Sequence, residues 1–344
     1  MYIEDLNLQV YNANLEWVGM VELGAGESFI WTERYFELGD FSLVGPVGKY
    51  NRDVLQPGNF VGHHYSNRLM VISEAVNQTI NEQGAQLRVR GQSLEGFLNY
   101  RAVPPDYTPA DNTIKTLTYG LLRRVLLPTS GANPLDALPG LSIPASGDGP
   151  IASVEFTEGS KLLDTIRDLI DQEDYGFRLV HNSNANTLSA EVYEGVERDI
   201  FLSPSTDSLS NESYLSSIQD YANVIHVSND THELFYGPGS TQGGFNRRLI
   251  HLKVNIETTN ANYQTRLRRK AREELKKHSR KFIFDGEIDV TGLYVFGRDF
   301  GLGDILTIGD NFGNSNRVRV TEFIRSFDAQ GHQAYPSFEL VDEV

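Results

Sequence analysis

The 344-residue chain contains no cysteine. That absence excludes disulfides, thiolate zinc sites, cysteine nucleophiles and thiol redox chemistry. Basic residues are also scarce, because 30 Lys and Arg stand against 46 Asp and Glu, which gives a formal net charge of −16. Such a charge opposes nucleic-acid binding by the body of the protein. Its simplest interpretation is solubility, and a sharper one is a surface that must not hold DNA.

Long apolar runs are missing as well. No run approaches the length of about 18 residues that a membrane-spanning helix needs, so we expect no membrane insertion. The opening "MYIEDLNLQV" has no basic segment followed by an apolar one, and we expect no signal peptide. Glycine, tyrosine and phenylalanine are plentiful, with 31, 16 and 18 residues, which favours β structure with many turns.

The motifs of catalytic and metal sites are not found. The eight histidines are scattered and none forms H-E-x-x-H, and the adjacent His63 and His64 would point to opposite faces of a strand. "GQSLEG" at 91–96 has the wrong spacing for a nucleophile elbow, and Ser93 is better placed to cap a helix. "GDNFGNSN" at 309–316 lacks the spacing of a calcium loop. We therefore predict no catalytic residue, no metal site and no cofactor, and a protein that is not an enzyme.

The order of patterns predicts a mainly β fold with α+β insertions, in three regions. Residues 1–100 and 201–344 alternate between short strand patterns and turns. Residues 101–200 form an accessory α/β domain, with helices predicted over 112–127 and 160–176 and a hairpin after them. In "RLIHLKVNIE", 248–257, apolar residues alternate strictly with His251, Lys253, Asn255 and Glu257, which indicates a half-buried strand.

One turn sequence occurs twice in the chain. "RYFELGDFSL", 34–43, returns as "RDFGLGDILT", 298–307, with five of ten positions shared. A strand follows each copy, so neither is a phosphate loop, which needs a helix there. Gly39 and Gly303 are expected to adopt positive φ, and Asp40 and Asp304 to accept hydrogen bonds from turn amides. We interpret the two copies as corners of two related small antiparallel β-barrels, one in 1–100 and one in 201–344; a chance match is the alternative.

A basic segment interrupts the last region. A helix is predicted at about 261–281, and "RLRRKAREELKKHSRK" within it has nine Lys or Arg and two Glu. Tyr263, Leu267, Ala271 and Leu275 form one apolar stripe. The cations are either a solvated face or a docking surface for an acidic neighbour, another copy of this chain included; nucleic acid is a third interpretation. The subunit-interface hypothesis names Arg266, Arg268, Arg269, Arg272, Lys276 and Lys277.

Several segments together resemble a known family. "SFIWTERYFELGDFSL", 28–43, resembles the opening signature of the siphovirus tail-tip (baseplate) hub proteins. Four later segments resemble the same family in the same order: "RGQSLEGFLNYR", "KLLDTIRDLIDQEDYGFRL", "VYEGVERD", and "FGLGDILTI" followed by "RVTEFIRSFDAQGHQAYPSFE". Glu197 and Asp199 depart from the family pattern, which has Asp and Thr there. The resemblance spans nearly the whole chain.

The resemblance implies a fold similar to those of contractile-tail baseplate hubs and type VI secretion spike hubs, with two barrels flanking α/β segments. It implies a homotrimer at the distal end of the virion tail that meets the distal tail protein hexamer. A threefold ring of chains with two like barrels would present six like units to that hexamer. The tape measure protein and tail fibre or receptor-binding proteins are the other implied partners, and phage DNA only passes through the channel.

Two other functions stay open. One is a glycan-binding or cell-wall-degrading tail-associated protein, which the aromatic content permits. Some hub relatives carry added domains of that kind, and after "YPSFELVDEV" we expect none. The other is the hub of a gene transfer agent or a secretion-type injector.

Overall fold

The computed structural model describes residues 6–24, 27–80, 84–110, 112–130, 133–152, 156–229, 232–254, 263–289, 292–329 and 331–341. The helices in this part are α1 Lys49–Val54, α2 Ile114–Leu126, α3 Leu162–Ile170 and α4 Tyr263–Lys277. The strands are β1 Leu6–Tyr11, β2 Trp17–Leu23, β3 Ser28–Arg34, β4 Asp40–Pro46, β5 Phe60–His63, β6 Met70–Ile80, β7 Gly84–Ser93, β8 Asn112–Thr113, β9 Leu141–Ser142, β10 Ile151–Ala152, β11 Gly176–Asn182, β12 Thr187–Tyr193, β13 Glu197–Leu202, β14 Ser210–Ser217, β15 Val224–Ser228, β16 Glu233–Tyr236, β17 Leu249–Lys253, β18 Lys281–Glu287, β19 Ile305–Gly309, β20 Ser315–Asp328 and β21 Gly331–Leu340. The predicted fold class, mainly β with inserted helices, is confirmed.

The chain divides into two compact units. Unit 1 comprises Met1–Arg198, Glu287–Asp304 and Val320–Pro336. Unit 2 comprises Asp199–Gly286, Ile305–Arg319 and Ser337–Val344. The three regions proposed from the sequence stay a prediction, although 1–100 and 101–198 are both part of unit 1.

The large sheet of unit 1 has the strand order β20, β3, β4, β7, β6, β5, β1, β2, in which β20 contributes residues 320–328. Every neighbouring pair in this path is antiparallel. One face covers a core that includes Phe29, Trp31, Phe41, Leu43 and Val89. The path is open at β2, which pairs with β1 alone, so no closed barrel forms in the described part of the chain, and the two predicted barrels are not confirmed.

A second core in unit 1 forms around α2 and α3. The predicted helical face of Ile114, Leu117, Leu121 and Val125 is confirmed, because all four side chains are buried. The Thr113 side chain caps α2 by accepting a hydrogen bond from the amide of Thr116. The predicted hairpin is β11 with β12, whose inner side chains join the same cluster. Tyr11, Phe60, Leu69 and Leu94 of the preceding region also belong to this cluster.

Helix α4 packs on a three-stranded sheet in unit 2. In that sheet β15 lies between β16, which is antiparallel to it, and β17, which is parallel. The predicted apolar stripe is confirmed for Leu267, Ala271 and Leu275, which are buried against Ile225 and Val227. The strand alternation is confirmed as well, because the cluster includes three side chains of the 248–257 segment, Ile250, Leu252 and Val254. Asn255 and Glu257 lie outside the described residues.

Elsewhere in unit 2, β19 pairs with residues 315–319 of β20 and with β13, and β14 pairs with β18. The predicted helix over 261–281 is shorter in the structure, since Lys281 already begins β18. Residues 261 and 262 lie outside the described part.

Candidate functional site

The glycines of the two copies of the repeated turn differ in backbone conformation. Gly303 has a φ of 87°, as predicted. Gly39 is not among the residues with positive φ, and that expectation is wrong. Instead, a Cβ at Gly39 would lie 2.4 Å from the carbonyl oxygen of Thr32, so the position needs the space that glycine leaves.

The aspartates after the two glycines differ in the same way. Asp304 accepts hydrogen bonds from the amides of Gly301, 3.0 Å away, and Val196, 2.8 Å away, and it pairs with Arg198 at 2.8 Å. Asp40 pairs with the guanidinium of Arg34 at 2.6 Å. Asp304 therefore accepts from backbone amides as well as from an arginine, whereas the donor observed at Asp40 is an arginine.

Ser93 holds the first of these turns. Its hydroxyl accepts a hydrogen bond from the amide of Gly39 at 3.0 Å, and its own amide donates to the carbonyl of Gly39 at 2.9 Å. The predicted capping role is wrong, since its side chain makes no cap hydrogen bond to the 3-10 helix Leu94–Tyr100. The two hydrogen bonds between Ser93 and Gly39 fix the start of that helix to the β3–β4 turn.

A buried ion pair lies at the end of β3. Glu33 and Arg68 are 8% and 3% exposed, and the Nε of Arg68 lies 3.3 Å from Oε2 of Glu33. The other carboxylate oxygen of Glu33 accepts a hydrogen bond from the indole of the buried Trp31 at 2.9 Å. The guanidinium of Arg68 also donates to the phenol oxygen of Tyr193 at 3.1 Å and to the backbone carbonyl of Arg34 at 3.3 Å. One arginine thus ties β3 to β12 within unit 1.

The charge of Arg68 is kept by its neighbours. Burial lowers the pKa of this guanidinium, but the acidic groups of Tyr193, Glu33 and Glu95 raise it more, and the net direction is upward. Burial in turn raises the pKa of Tyr193, against the effect of Arg68. The guanidinium of Arg68 therefore stays charged beside Glu33.

A polar cavity of about 490 Å³ opens beside this pair in unit 1. Four arginines line it, and each is paired with a carboxylate: Arg68 with Glu33, Arg178 with Glu191, Arg198 with Asp304, and Arg298 with Asp299. The aromatic rings of Tyr65, Tyr193, Phe296 and Phe300 complete much of its wall. Each of these arginines therefore has a carboxylate that compensates its charge.

The outer end of β3 carries a second network. Arg34 lies 2.5 Å from the carboxylate of Glu322 on β20, besides its pair with Asp40, and it donates to the carbonyl of Leu38 at 2.7 Å. Arg167 of α3 lies 3.3 Å from Glu37. Each charged side chain of the segment 28–43 therefore lies beside an opposite charge: Glu33, Arg34, Glu37 and Asp40.

His63 is a buried, neutral histidine. It is 4% exposed, and its Nδ1 accepts a hydrogen bond from the amide of Tyr65 at 3.2 Å. Burial lowers its pKa well below the usual range, and the cations Arg325, His64 and His332 lower it further. Its neighbour His64 is exposed, as expected for adjacent positions at a strand end.

Replacing His63 by leucine is expected to flatten the pH dependence of stability. Below pH 6.5 the unfolded chain takes up a proton at this position and the folded chain does not. The free energy of unfolding therefore decreases as the pH is lowered. The slope from one such group is at most about 1.4 kcal/mol per pH unit. Urea unfolding of the wild type and of His63→Leu between pH 7.5 and 5 measures the difference in slope.

His64→Leu is the matched control, because it removes the imidazole at the adjacent, exposed position. The pKa of His181 is also lowered, first by its burial, so the wild type retains some slope from that residue. Equal slopes for the wild type and His63→Leu would contradict a buried neutral ring.

The basic helix α4 exposes part of its predicted surface. Arg268 and Lys277 are exposed, and Arg272 and Lys276 are half-buried; the side chains of Arg266 and Arg269 lie outside the described residues. Lys277 pairs with Glu274 at 2.8 Å. The apolar stripe packs inside unit 2, and Arg268 and Lys277 are exposed at the surface of the helix.

Sequence reasoning missed the partners of these charges. Arg68 is 35 positions from Glu33 and 125 from Tyr193 in the chain, and no local pattern connects them. The available signal was Glu33 itself, a carboxylate on the inward side of a strand whose other inward residues are Phe29 and Trp31. A buried charge at such a position requires an opposite charge.

The comparisons with known proteins identify the family. No curated protein matches the sequence. The model of the family described as siphovirus ReqiPepy6 Gp37-like protein matches residues 7–338. The chain belongs to this family. The resemblance seen in the sequence is thereby confirmed: this Gp37-like chain is a siphovirus tail protein.

The fold of this Gp37-like chain is similar to those of several solved tail proteins. The tail protein from Neisseria meningitidis MC58 is 13% identical with a TM-score of 0.62, and the alignment covers 98% of this chain and 97% of that one. The 43 kDa tail protein of prophage MuSo2 from Shewanella oneidensis is 12% identical with a TM-score of 0.60, and 98% of each chain is covered.

A type VI secretion component of E. coli, described as similar to the T4 tail proteins gp27 and gp5, has a TM-score of 0.51 at 12% identity. The alignment covers 93% of this chain and 74% of that one. At these identities the likeness shows the fold alone.

Two further observations concern the described residues. No helix among them is long and apolar enough to cross a membrane. No three His, Asp or Glu side chains among them converge as a metal cluster.

Proposed function

We propose that this Gp37-like protein is the tail-tip hub of its particle, a structural ring at the distal end of the tail. Membership of a siphovirus tail family and a fold similar to tail proteins over nearly the whole chain support a structural part of the tail. The distal position and the hub role rest on the sequence segments that resemble tail-tip hubs. The type VI component with the similar fold supports the same assignment, because its own description relates it to gp27.

The proposed ring is a homotrimer that meets the hexamer of the distal tail protein, with tape measure and tail fibre or receptor-binding proteins as further neighbours. The repeated turn gives weaker support for two like parts per chain, because its copies differ in backbone and in hydrogen bonding. The net charge of −16 supports a channel through which DNA slides, since an acidic wall repels a polyanion.

A mechanical role without enzymatic activity is the simplest function for the charged residues of unit 1. The buried Glu33 is neutralised by Arg68 and hydrogen-bonded to Trp31, and the arginines that line the cavity are each paired. A general acid or base needs a proton that it can exchange at its working pH. Groups held in such pairs stabilise the fold instead.

Cryo-electron microscopy of intact tails tests the proposal. We expect three copies of this chain at the distal end, around an open or plugged axial channel. Six copies at that end, or no copy in the virion, would defeat the hub assignment. Release of sugars or peptides from host cell wall by the purified full-length chain would favour the glycan-directed alternative.

We further propose that the exposed cations of α4 dock an acidic neighbour, and that this neighbour is a second copy of the chain. The segment 266–281 has nine Lys or Arg and two Glu, whereas the remainder of the chain is strongly acidic. Copies of one chain therefore carry complementary charges. Arg268 and Lys277 are exposed, and the helix is anchored beneath them by Leu267, Ala271 and Leu275.

Reversing three of these charges is expected to block assembly without unfolding the chain. The variant changes Arg268, Arg269 and Lys276 to Glu, and assembled tails are counted by negative-stain microscopy. The melting temperature of the purified variant should stay close to that of the wild type, because Leu267, Ala271 and Leu275, which anchor the helix, are unchanged.

A matched variant carries the same change in net charge on unit 1. Arg52, Arg88 and Arg90 are exposed there, and their change to Glu should leave assembly intact. Normal tails from the α4 variant would contradict the docking proposal and would show that these cations are only a solvated face of the helix. Equal loss in both variants would show that net charge alone matters.

A further inference from the structure

The outer face of the three-stranded sheet in unit 2 brings two histidines together. His226 on β15 and His251 on β17 are direct neighbours in the parallel register. Their Nδ1 atoms lie 3.1 Å apart. Both side chains lie on the face opposite α4, because Ile225, Val227, Ile250 and Leu252 fill the face that α4 covers.

A carboxylate and an aromatic ring hold one of the two imidazoles in place. The Nε2 of His226 lies 3.0 Å from Oε2 of Glu233 on the neighbouring strand β16. The ring of His226 stacks on Phe235, with centroids 4.4 Å apart and planes 11° apart. The side chain of His226 is 17% exposed, and that of Glu233 is 69% exposed.

The hydrogen bonds determine which nitrogen atoms carry protons. An ionised carboxylate only accepts, so the proton of neutral His226 is on Nε2, where it is donated to Glu233. Its Nδ1 is therefore a bare lone pair. His251 must donate its own Nδ1 proton to that lone pair, since two bare nitrogens at 3.1 Å would repel. A metal cation could replace this one proton and use both lone pairs.

We propose that His226 and His251 form a binding site for a divalent transition metal, with Zn²⁺, Cu²⁺ and Ni²⁺ as the ions that imidazole suits. Zinc binds histidine nitrogen at about 2.0–2.1 Å, which places two ligands of a tetrahedral ion about 3.4 Å apart. The observed separation of 3.1 Å is close to that distance. An ion at that distance from both nitrogens lies off the line that joins them, so each lone pair must turn from the direction of the hydrogen bond toward the ion.

With a metal bound at Nδ1 of His226, Glu233 would accept the hydrogen bond from the other nitrogen of that ring, which makes a carboxylate–histidine–metal arrangement. Such a carboxylate fixes the tautomer and orientation of the ring and makes the ligating nitrogen more basic, and its loss typically weakens metal binding 10–100-fold. The local sequence builds this arrangement from three neighbouring strands whose register is set by the apolar side chains beneath α4.

The described residues supply two ligands to this site, and water completes the coordination. Affinity is consequently moderate, well below that of a structural zinc site with four protein ligands. The guanidinium of Arg247 lies over the ring of Phe235, 5.6 Å from its centroid. Lys253 is the next residue after His251 whose side chain lies on the same face of β17. These cations weaken binding of a metal, whereas Glu233 favours it. Calcium and magnesium prefer oxygen ligands and should not bind here.

Isothermal titration of the full-length, metal-free protein with ZnCl₂ tests the site. We expect one zinc ion per chain, and at least a tenfold loss of affinity in each of His226→Gln and His251→Gln. Glu233→Gln should retain binding with a loss of about tenfold or more. His64→Gln is the control, because His64 is an exposed histidine of unit 1 and should leave the titration unchanged.

Copper provides a second readout that does not depend on affinity. The electron paramagnetic resonance spectrum of the Cu²⁺-loaded chain should show coupling to two imidazole nitrogens, and His251→Gln should show coupling to one. Circular dichroism of each variant checks that the fold is kept. Zinc binding that is equally strong in the wild type and His251→Gln, or no zinc binding by the wild type, would overturn the proposal. Neither result bears on the position of the chain in the tail.

Discussion

The buried pair of Glu33 and Arg68 is the constraint on which unit 1 depends. Strand β3 carries Phe29 and Trp31 into the core of the large sheet, and its next inward residue is a carboxylate. Arg68 neutralises that carboxylate and contacts Tyr193, which belongs to the β11–β12 hairpin. Removing one partner would leave a buried charge uncompensated, which typically costs about 3–5 kcal/mol.

Paired charges also connect other segments of the chain. Arg34 ties β3 to β20 and to the following turn, Asp304 ties its own turn to Arg198, and Glu37 reaches α3 through Arg167. These residues lie in the segments that resemble tail-tip hubs. Their charges connect segments that are distant in the chain.

Sequence patterns predicted the parts of the fold that local periodicity controls. The apolar face of α2, the stripe of α4 and the alternation of β17 follow from the geometry of helix and strand, and each is observed. Distant pairing was beyond such reasoning. The open edge at β2, the tie from Arg68 to Tyr193, and the meeting of His226 with His251 depend on strand order and register, which no single segment contains. The two turns share five residues, and neither glycine has room for a Cβ, yet only Gly303 has a positive φ.

A double-mutant cycle on Glu33 and Arg68 tests the central claim most directly. Urea unfolding would be measured for the wild type, Glu33→Gln, Arg68→Met and the double variant. If Glu33 and Arg68 stabilise each other as a buried ion pair, their coupling free energy is about 2 kcal/mol or more. The double variant then loses less unfolding free energy than the sum of the two single losses. Losses that add within about 0.5 kcal/mol would contradict it, because independent sites behave that way.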